Sequence, residues 1–134
     1  MESMSKIEAV LFDLDGTLLD SFPDFLASLE NINIKSSSKK IDESIVRANV
    51  SDGSSKLLKL VFDIDTDDKD FDEHKRNFLN EYERNILMYG NLFLGVSDLL
   101  NFLLDKKIPY GIVTNKPRKY TEIILKKSSL LRQS

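Results

Sequence analysis

Two carboxylates two residues apart, Asp13 and Asp15, stand directly after the apolar run Ala9-Val10-Leu11-Phe12 and directly before Gly16-Thr17. On a straight strand, side chains at that spacing point to opposite faces. Past a strand end, with the chain turning at Gly16, both can face one cavity. Two carboxylates facing one cavity are candidates for chemistry, and the plainer alternative is a strand followed by an acidic turn. Asp-x-Asp-Gly-Thr arises by accident in about one chain in a thousand of this length, and the apolar run before it makes accident rarer. A second polar pair, Thr114-Asn115, follows the apolar residues 108–113 and precedes Lys116-Pro117. Alone, this pair reads as a helix cap. At the end of a strand beside the first pair, it can hold an anion.

The elements that must position these residues follow from the spacing of apolar side chains. Both apolar runs read as strands buried on both faces, and Pro109 suits the first residue of a strand. Between them the pattern is helical. Phe22, Phe25, Leu26, Leu29 and Ile32 recur at helical spacing, and Ser36-Ser37-Ser38-Lys39-Lys40 reads as a loop. Ile41, Ile45 and Val46 predict a short helix with Asp42 in its first turn. Ser51-Asp52-Gly53-Ser54 breaks the chain, and Leu57, Leu58, Val61 and Phe62 resume it. Residues 63–70 read as a solvated acidic loop. Phe71, Phe78, Tyr82, Ile86 and Tyr89 mark a longer amphipathic helix, followed by a connection over 90–95. Val96, Leu99, Leu100, Leu103 and Leu104 mark a helix leading into the second strand. Pro117 suits the first position of a further helix, with Thr121, Ile124, Leu125 and Ser128 facing inward. A strand–helix–strand unit implies a parallel pair with a right-handed crossover. Ligands of such sheets bind beyond the carboxyl ends of the strands, where Asp13, Asp15, Thr114 and Asn115 all fall.

Composition narrows the function classes. The chain has 134 residues, 41% hydrophobic and 31% charged, which is one soluble domain's worth. A net charge of −3 gives no sequence-wide basic field for nucleic acid. No cysteine is present, which excludes disulfides, thiolate metal sites and a cysteine nucleophile and agrees with a reducing cytoplasm. The apolar runs are too short to cross a bilayer, and Met1-Glu2-Ser3-Met4-Ser5-Lys6 does not have the pattern of a signal peptide. His74, the one histidine, lies on a polar stretch and reads as solvated. The aspartates from Asp63 to Asp72 lack the central glycine and closing glutamate of a calcium loop.

Phe12-Asp13-Leu14-Asp15-Gly16-Thr17-Leu18-Leu19-Asp20-Ser21 resembles the first motif of the haloacid dehalogenase superfamily, and Gly111-Ile112-Val113-Thr114-Asn115-Lys116-Pro117 resembles its second. The Thr-Asn-Lys-Pro form is that of phosphoglycolate phosphatases and close relatives. The resemblance implies an α/β, Rossmann-like parallel-sheet core from residues 1–20 and 92–134, with an α-helical cap inserted over 21–91. It implies that Asp13 attacks phosphorus to form an aspartyl-phosphate and that Asp15 is the general acid and base. Thr114 and Asn115 would hold the phosphoryl oxygens. Mg2+ would bridge the Asp13 carboxylate, the Asp15 carbonyl and the phosphate. Ser51, Asp52 and Gly53 resemble the cap segment that faces substrate, and read equally well as a turn between helices.

The implied substrate is a small phosphorylated metabolite. Phosphoglycolate leads, and N-acetylmuramic acid 6-phosphate is the alternative. A reading of another class is a non-catalytic remnant or binding partner. Two further motifs of the superfamily are not found in these residues: a lysine opening a later helix, and a Gly-Asp segment that completes the metal site. Lys116 belongs to the second motif and is not equated with that lysine. A truncated or frameshifted reading frame is expected, or a fragment completed by an oligomer or a complementing chain. Such a chain is expected to be of marginal stability and weakly active alone.

Overall fold

The computed structural model describes residues 6–32 and 40–134. Most of the serine-rich loop expected around residues 36–40 lies outside them, as do the first five residues. Along the chain run β1 (Val10–Phe12), β2 (Leu19–Asp20), α1 (Phe22–Asn31), α2 (Glu43–Ala48), α3 (Ser54–Phe62) and α4 (Phe71–Asn85). There follow β3 (Asn91–Leu92), α5 (Val96–Asp105), β4 (Tyr110–Ile112), α6 (Arg118–Lys127) and α7 (Ser129–Arg132). The fold is α/β, and β1 and β4 pair in parallel with Val10 opposite Tyr110 and Phe12 opposite Ile112.

Local chemistry explains most boundaries. Pro23 sits in the first turn of α1, where its missing N–H costs nothing. Asp42 does not lie inside the first turn of α2, as the spacing predicts, but caps it, its carboxylate accepting the Ser44 N–H at 3.0 Å. The long helix α4 stops at Asn85, one turn before the predicted end, where Ile86 leaves the helix at ψ 120° and Leu87 then adopts a positive φ of 58°. Tyr89 is thereby left exposed. The connection expected over 90–95 contains a strand, since Asn91–Leu92 pairs antiparallel with Leu19–Asp20. Two-residue strands carry no periodicity to detect. These paired segments are where the chain leaves β1 for the helical insert and returns to α5.

Inside the insert, α1 and α4 pack through Phe25, Phe78 and Tyr82, whose rings stack with centroids 4.5 Å apart for Phe25 and Tyr82. Below it, Leu14, Leu18, Leu19, Leu100, Leu103, Tyr110, Ile124 and Leu131 are buried. The short α7 was not legible in the spacing. It is capped by Ser128 and anchored by Leu131, and Tyr110 Oη donates to the Leu130 carbonyl.

The expectation that both strands are buried on both faces does not hold. Leu11 is 69% exposed and Val113 is 62% exposed. Val10, Phe12, Tyr110 and Ile112 pack against the core, and nothing among the described residues covers the opposite face. On α5, Leu99 and Leu104, two of the residues whose spacing marks the helix, are likewise exposed. Among the described residues no helix is long and apolar enough to cross a membrane.

Candidate active site

After β1 the chain wraps tightly around one carbonyl. Leu14 C=O accepts the N–H groups of Thr17, Leu18 and Leu19 at 3.0–3.1 Å, and Gly16 donates to Leu19 C=O at 2.9 Å. Gly16 takes φ +79°, which a side chain would resist. Leu14 is fully buried and acts as the peg of the turn. The wrap brings residues on both sides of Leu14 to one cavity of about 710 Å³, lined by Asp13, Asp15, Ser51, Asp52, Gly53, Thr114 and Asn115 among others. That volume is in the range of small-molecule sites.

The carboxylates differ in surroundings. Asp13 is exposed, its Oδ1 accepting the N–H of Leu14 at 2.8 Å. Asp15 has a side chain only 9% exposed, and Lys116 Nζ lies 3.2 Å from Oδ1 and 3.0 Å from Oδ2. The ammonium also sits 4.4 Å from the Tyr82 ring centroid and 5.0 Å from that of Phe25, close enough for cation–π attraction. Burial pushes the Lys116 amine below its ordinary value, opposed by the Asp15 carboxylate. Tyr82 is pushed far above the ordinary tyrosine range, first by burial and then by the charges of Asp15 and Asp24.

Thr114 and Asn115 leave the end of β4. Thr114 Oγ1 accepts the Lys116 N–H at 3.1 Å, which uses a lone pair and leaves the hydroxyl proton free to donate. Ser51 reaches down from the turn between α2 and α3, its hydroxyl donating to the Asp15 carbonyl at 2.8 Å. Asp52 lines the cavity while paired with Lys56 at 3.2 Å. Gly53 takes φ +94° just before α3.

Sequence reasoning did not single out Lys75, Phe25 or Tyr120 as cavity residues; it placed Lys116 in the second motif without giving it a role and Tyr82 on the apolar stripe of a helix, and all five line the cavity. Lys75 had a signal, since it falls at helical spacing on the same stripe as Phe71, Phe78 and Tyr82. Asp24, also unmentioned, is 1% exposed, and its carboxylate accepts the N–H groups of Leu87, Tyr89 and Gly90, each at 2.9 Å. It ties α1 to the segment returning from α4. Gly90 is required there, because a Cβ would stand 2.7 Å from both Asp20 O and Asp24 Oδ2.

The donor set suits a hard divalent cation in part. Magnesium is typically held by one or two carboxylates together with substrate phosphate oxygens. The Asp13 carboxylate, open to the cavity, and the Asp15 carbonyl offer such oxygens. Among the described residues no group of three or more His, Cys, Asp or Glu side chains gathers at one point.

Comparison with known proteins matches residues 10–132 to a family described as haloacid dehalogenase-like hydrolase. An N-acetylmuramic acid 6-phosphate phosphatase of Pseudomonas putida is 32% identical over 96% of this chain and 58% of its own length. A phosphoglycolate phosphatase of Xanthomonas campestris pv. campestris is 38% identical over 87% of this chain and 52% of its own. The crystal structure of a predicted phosphoglycolate phosphatase from Haemophilus somnus superposes with a TM-score of 0.78 at 25% identity, covering 98% of this chain and 61% of that one. The chain spans about half the length of the curated relatives it matches.

Proposed function

This chain belongs to the haloacid dehalogenase-like hydrolase family, and we propose that it carries the nucleophile half of a cytoplasmic, magnesium-dependent phosphatase for a small phosphorylated metabolite. In this reading residues 21–91 are a helical cap over a core made of residues 1–20 and 92–134. The observation that carries it is the turn around Leu14, which delivers Asp13 and Asp15 to the cavity that Thr114 and Asn115 also line.

Asp13 attacks phosphorus, an Asp13 O–P bond forms, and the bond to the leaving alkoxide breaks. Asp15 delivers a proton to that alkoxide, then takes one from the water that hydrolyses the aspartyl-phosphate and frees Asp13. Lys116 Nζ, 3.0 Å from Asp15 Oδ2, is placed to supply the proton that Asp15 delivers. The Thr114 hydroxyl and the Asn115 backbone N–H hold phosphoryl oxygens, at the N-terminal end of α6. The Asp13 carboxylate and Asp15 carbonyl would hold magnesium, which when bound offsets the repulsion between two anions. Ser51, Asp52 and Gly53 face the substrate from the cap.

Phosphoglycolate is the leading substrate. N-acetylmuramic acid 6-phosphate is the second reading, favoured by a cavity of about 710 Å³ that has room for a sugar and by the Pseudomonas putida relative. In either case turnover by these 134 residues alone should be weak, because their nearest buried cation sits on Asp15 and not on Asp13. Losing one electrostatic donor typically costs on the order of a hundred- to a thousandfold. The test is phosphate release from both compounds and from an aryl phosphate, with and without magnesium, together with chemical trapping of the aspartyl-phosphate. Slow, magnesium-dependent release with phosphate trapped on Asp13 is expected. A non-catalytic protein would trap none, and release surviving Asp13→Asn would overturn the assignment of the nucleophile.

A further inference from the structure

The charged side chains that line the cavity are Asp13, Asp15, Asp52, Lys75 and Lys116. All but one have a partner within the chain. Asp15 is bridged by Lys116, Asp52 is paired with Lys56, and Asp13 accepts the N–H of Leu14. Lys75 enters no ion pair among the described residues. It is nevertheless half-buried, on the stripe of α4 that carries Phe78 and Tyr82 into the same cavity. A cation taken part of the way out of water gains by meeting a counterion, and the acids of the cavity are engaged elsewhere. Lys75 also stands apart from the phosphate end. Tyr82 marks that end on α4, since its ring lies 4.4 Å from the ammonium of Lys116 that bridges Asp15. Lys75 precedes Tyr82 by two turns of helix, about 10 Å along the axis.

We propose that Lys75 is a specificity residue that receives a carboxylate of the substrate, so that the site selects phosphorylated carboxylic acids. The inference rests on the phosphatase reading above, in which Thr114 and Asn115 hold the phosphate, and extends it to the other end of the substrate. A second phosphate is a poorer match for Lys75. Phosphate groups draw on several donors at once, arginine forks above all, and among the described residues no arginine lines the cavity. One ammonium is the counterpart of one carboxylate. Both compounds proposed as substrates carry such a group, glycolate in one and a lactyl ether in the other.

The test measures binding, which needs no turnover. Calorimetry of the full 134-residue chain compares each acid with an analogue that lacks the charge. N-acetylmuramic acid 6-phosphate is set against N-acetylglucosamine 6-phosphate, and phosphoglycolate against its amide. At least one acid should bind about tenfold or more tighter than its analogue, the worth of one hydrogen bond between charged groups. Lys75→Met should bring the members of that pair to within about threefold. Lys75→Arg should keep most of the preference and Lys75→Glu should reverse it, with circular dichroism showing that each variant is folded. Equal binding of acid and analogue in both pairs, or a preference that Lys75→Met leaves intact, would overturn the inference and leave the phosphatase reading standing. A preference that depends on Lys75, in a chain that releases no phosphate, would uphold the inference and sink catalysis. Failure of every phosphate to bind would overturn both.

Discussion

Replacing Asp24 by asparagine keeps the shape of a buried side chain and removes half its acceptors. In the structure Oδ1 receives the N–H groups of Tyr89 and Gly90, and Oδ2 receives that of Leu87, all at 2.9 Å. An amide oxygen placed at Oδ1 keeps two of these bonds, while the amide nitrogen then faces the Leu87 N–H donor to donor. A hydrogen bond to a charged acceptor is worth roughly 1.5–3 kcal/mol, and a buried N–H left unpaired costs roughly 1–3 kcal/mol. These costs overlap, so Asp24→Asn should destabilise by about 3 kcal/mol. Asp24→Ala loses all three bonds and should cost on the order of 6 kcal/mol, enough to unfold a domain of ordinary stability. Urea unfolding followed by circular dichroism measures both, and amide exchange should speed at Leu87 before Tyr89 in the asparagine variant. A loss below about 0.5 kcal/mol, or unchanged exchange at Leu87, would show that the carboxylate does not hold the returning segment.

Three further outcomes are expected. Gly90→Ala puts a methyl 2.7 Å from Asp20 O and Asp24 Oδ2 and should cost at least about 2 kcal/mol, non-additively with Asp24→Ala; a neutral Gly90→Ala would count against the close approach. Lys116→Met strands the Asp15 carboxylate, whose side chain is 9% exposed, and should cost roughly 3–5 kcal/mol, most of it recovered by adding Asp15→Asn. Equal unfolding midpoints for the single and double variants would rule out the coupling. For Tyr82 the sign runs toward alkaline instability. Its folded value lies far above the ordinary 10.0, so above pH 10 the unfolded chain gives up a proton that the folded chain keeps. Stability therefore falls as pH climbs past that point, and Tyr82→Phe should flatten the fall in urea midpoint measured from about pH 8 to about pH 11.

The parallel pairing of β1 with β4 was legible because an apolar run halted by Asp-Leu-Asp-Gly has few other interpretations, and the helices because their apolar residues keep a 3.6-residue period. What escaped was long-range or short-period. Lys116 meets Asp15 across 101 positions, and no local pattern marks that pair. Asp24 looks like any acid in the first turn of a helix until the returning segment folds over it. The strands β2 and β3 are two residues each, below the length at which alternation exists. The bare face of the sheet was illegible for the opposite reason. Leu11 and Val113 belong to runs with the pattern of strands covered on both sides, and whether the described residues supply a second layer is not written into the strand that would meet it.

The hydrogen bond from Ser51 to the Asp15 carbonyl makes two equilibria reciprocal. Whatever a second partner of that carbonyl takes from the hold on the α2–α3 turn, moving the turn takes from the partner by the same free energy. One neutral hydrogen bond contributes about 1 kcal/mol, which corresponds to roughly a fivefold mutual change in affinity. Through that hydroxyl, filling the cavity and holding the α2–α3 turn share one hydrogen bond.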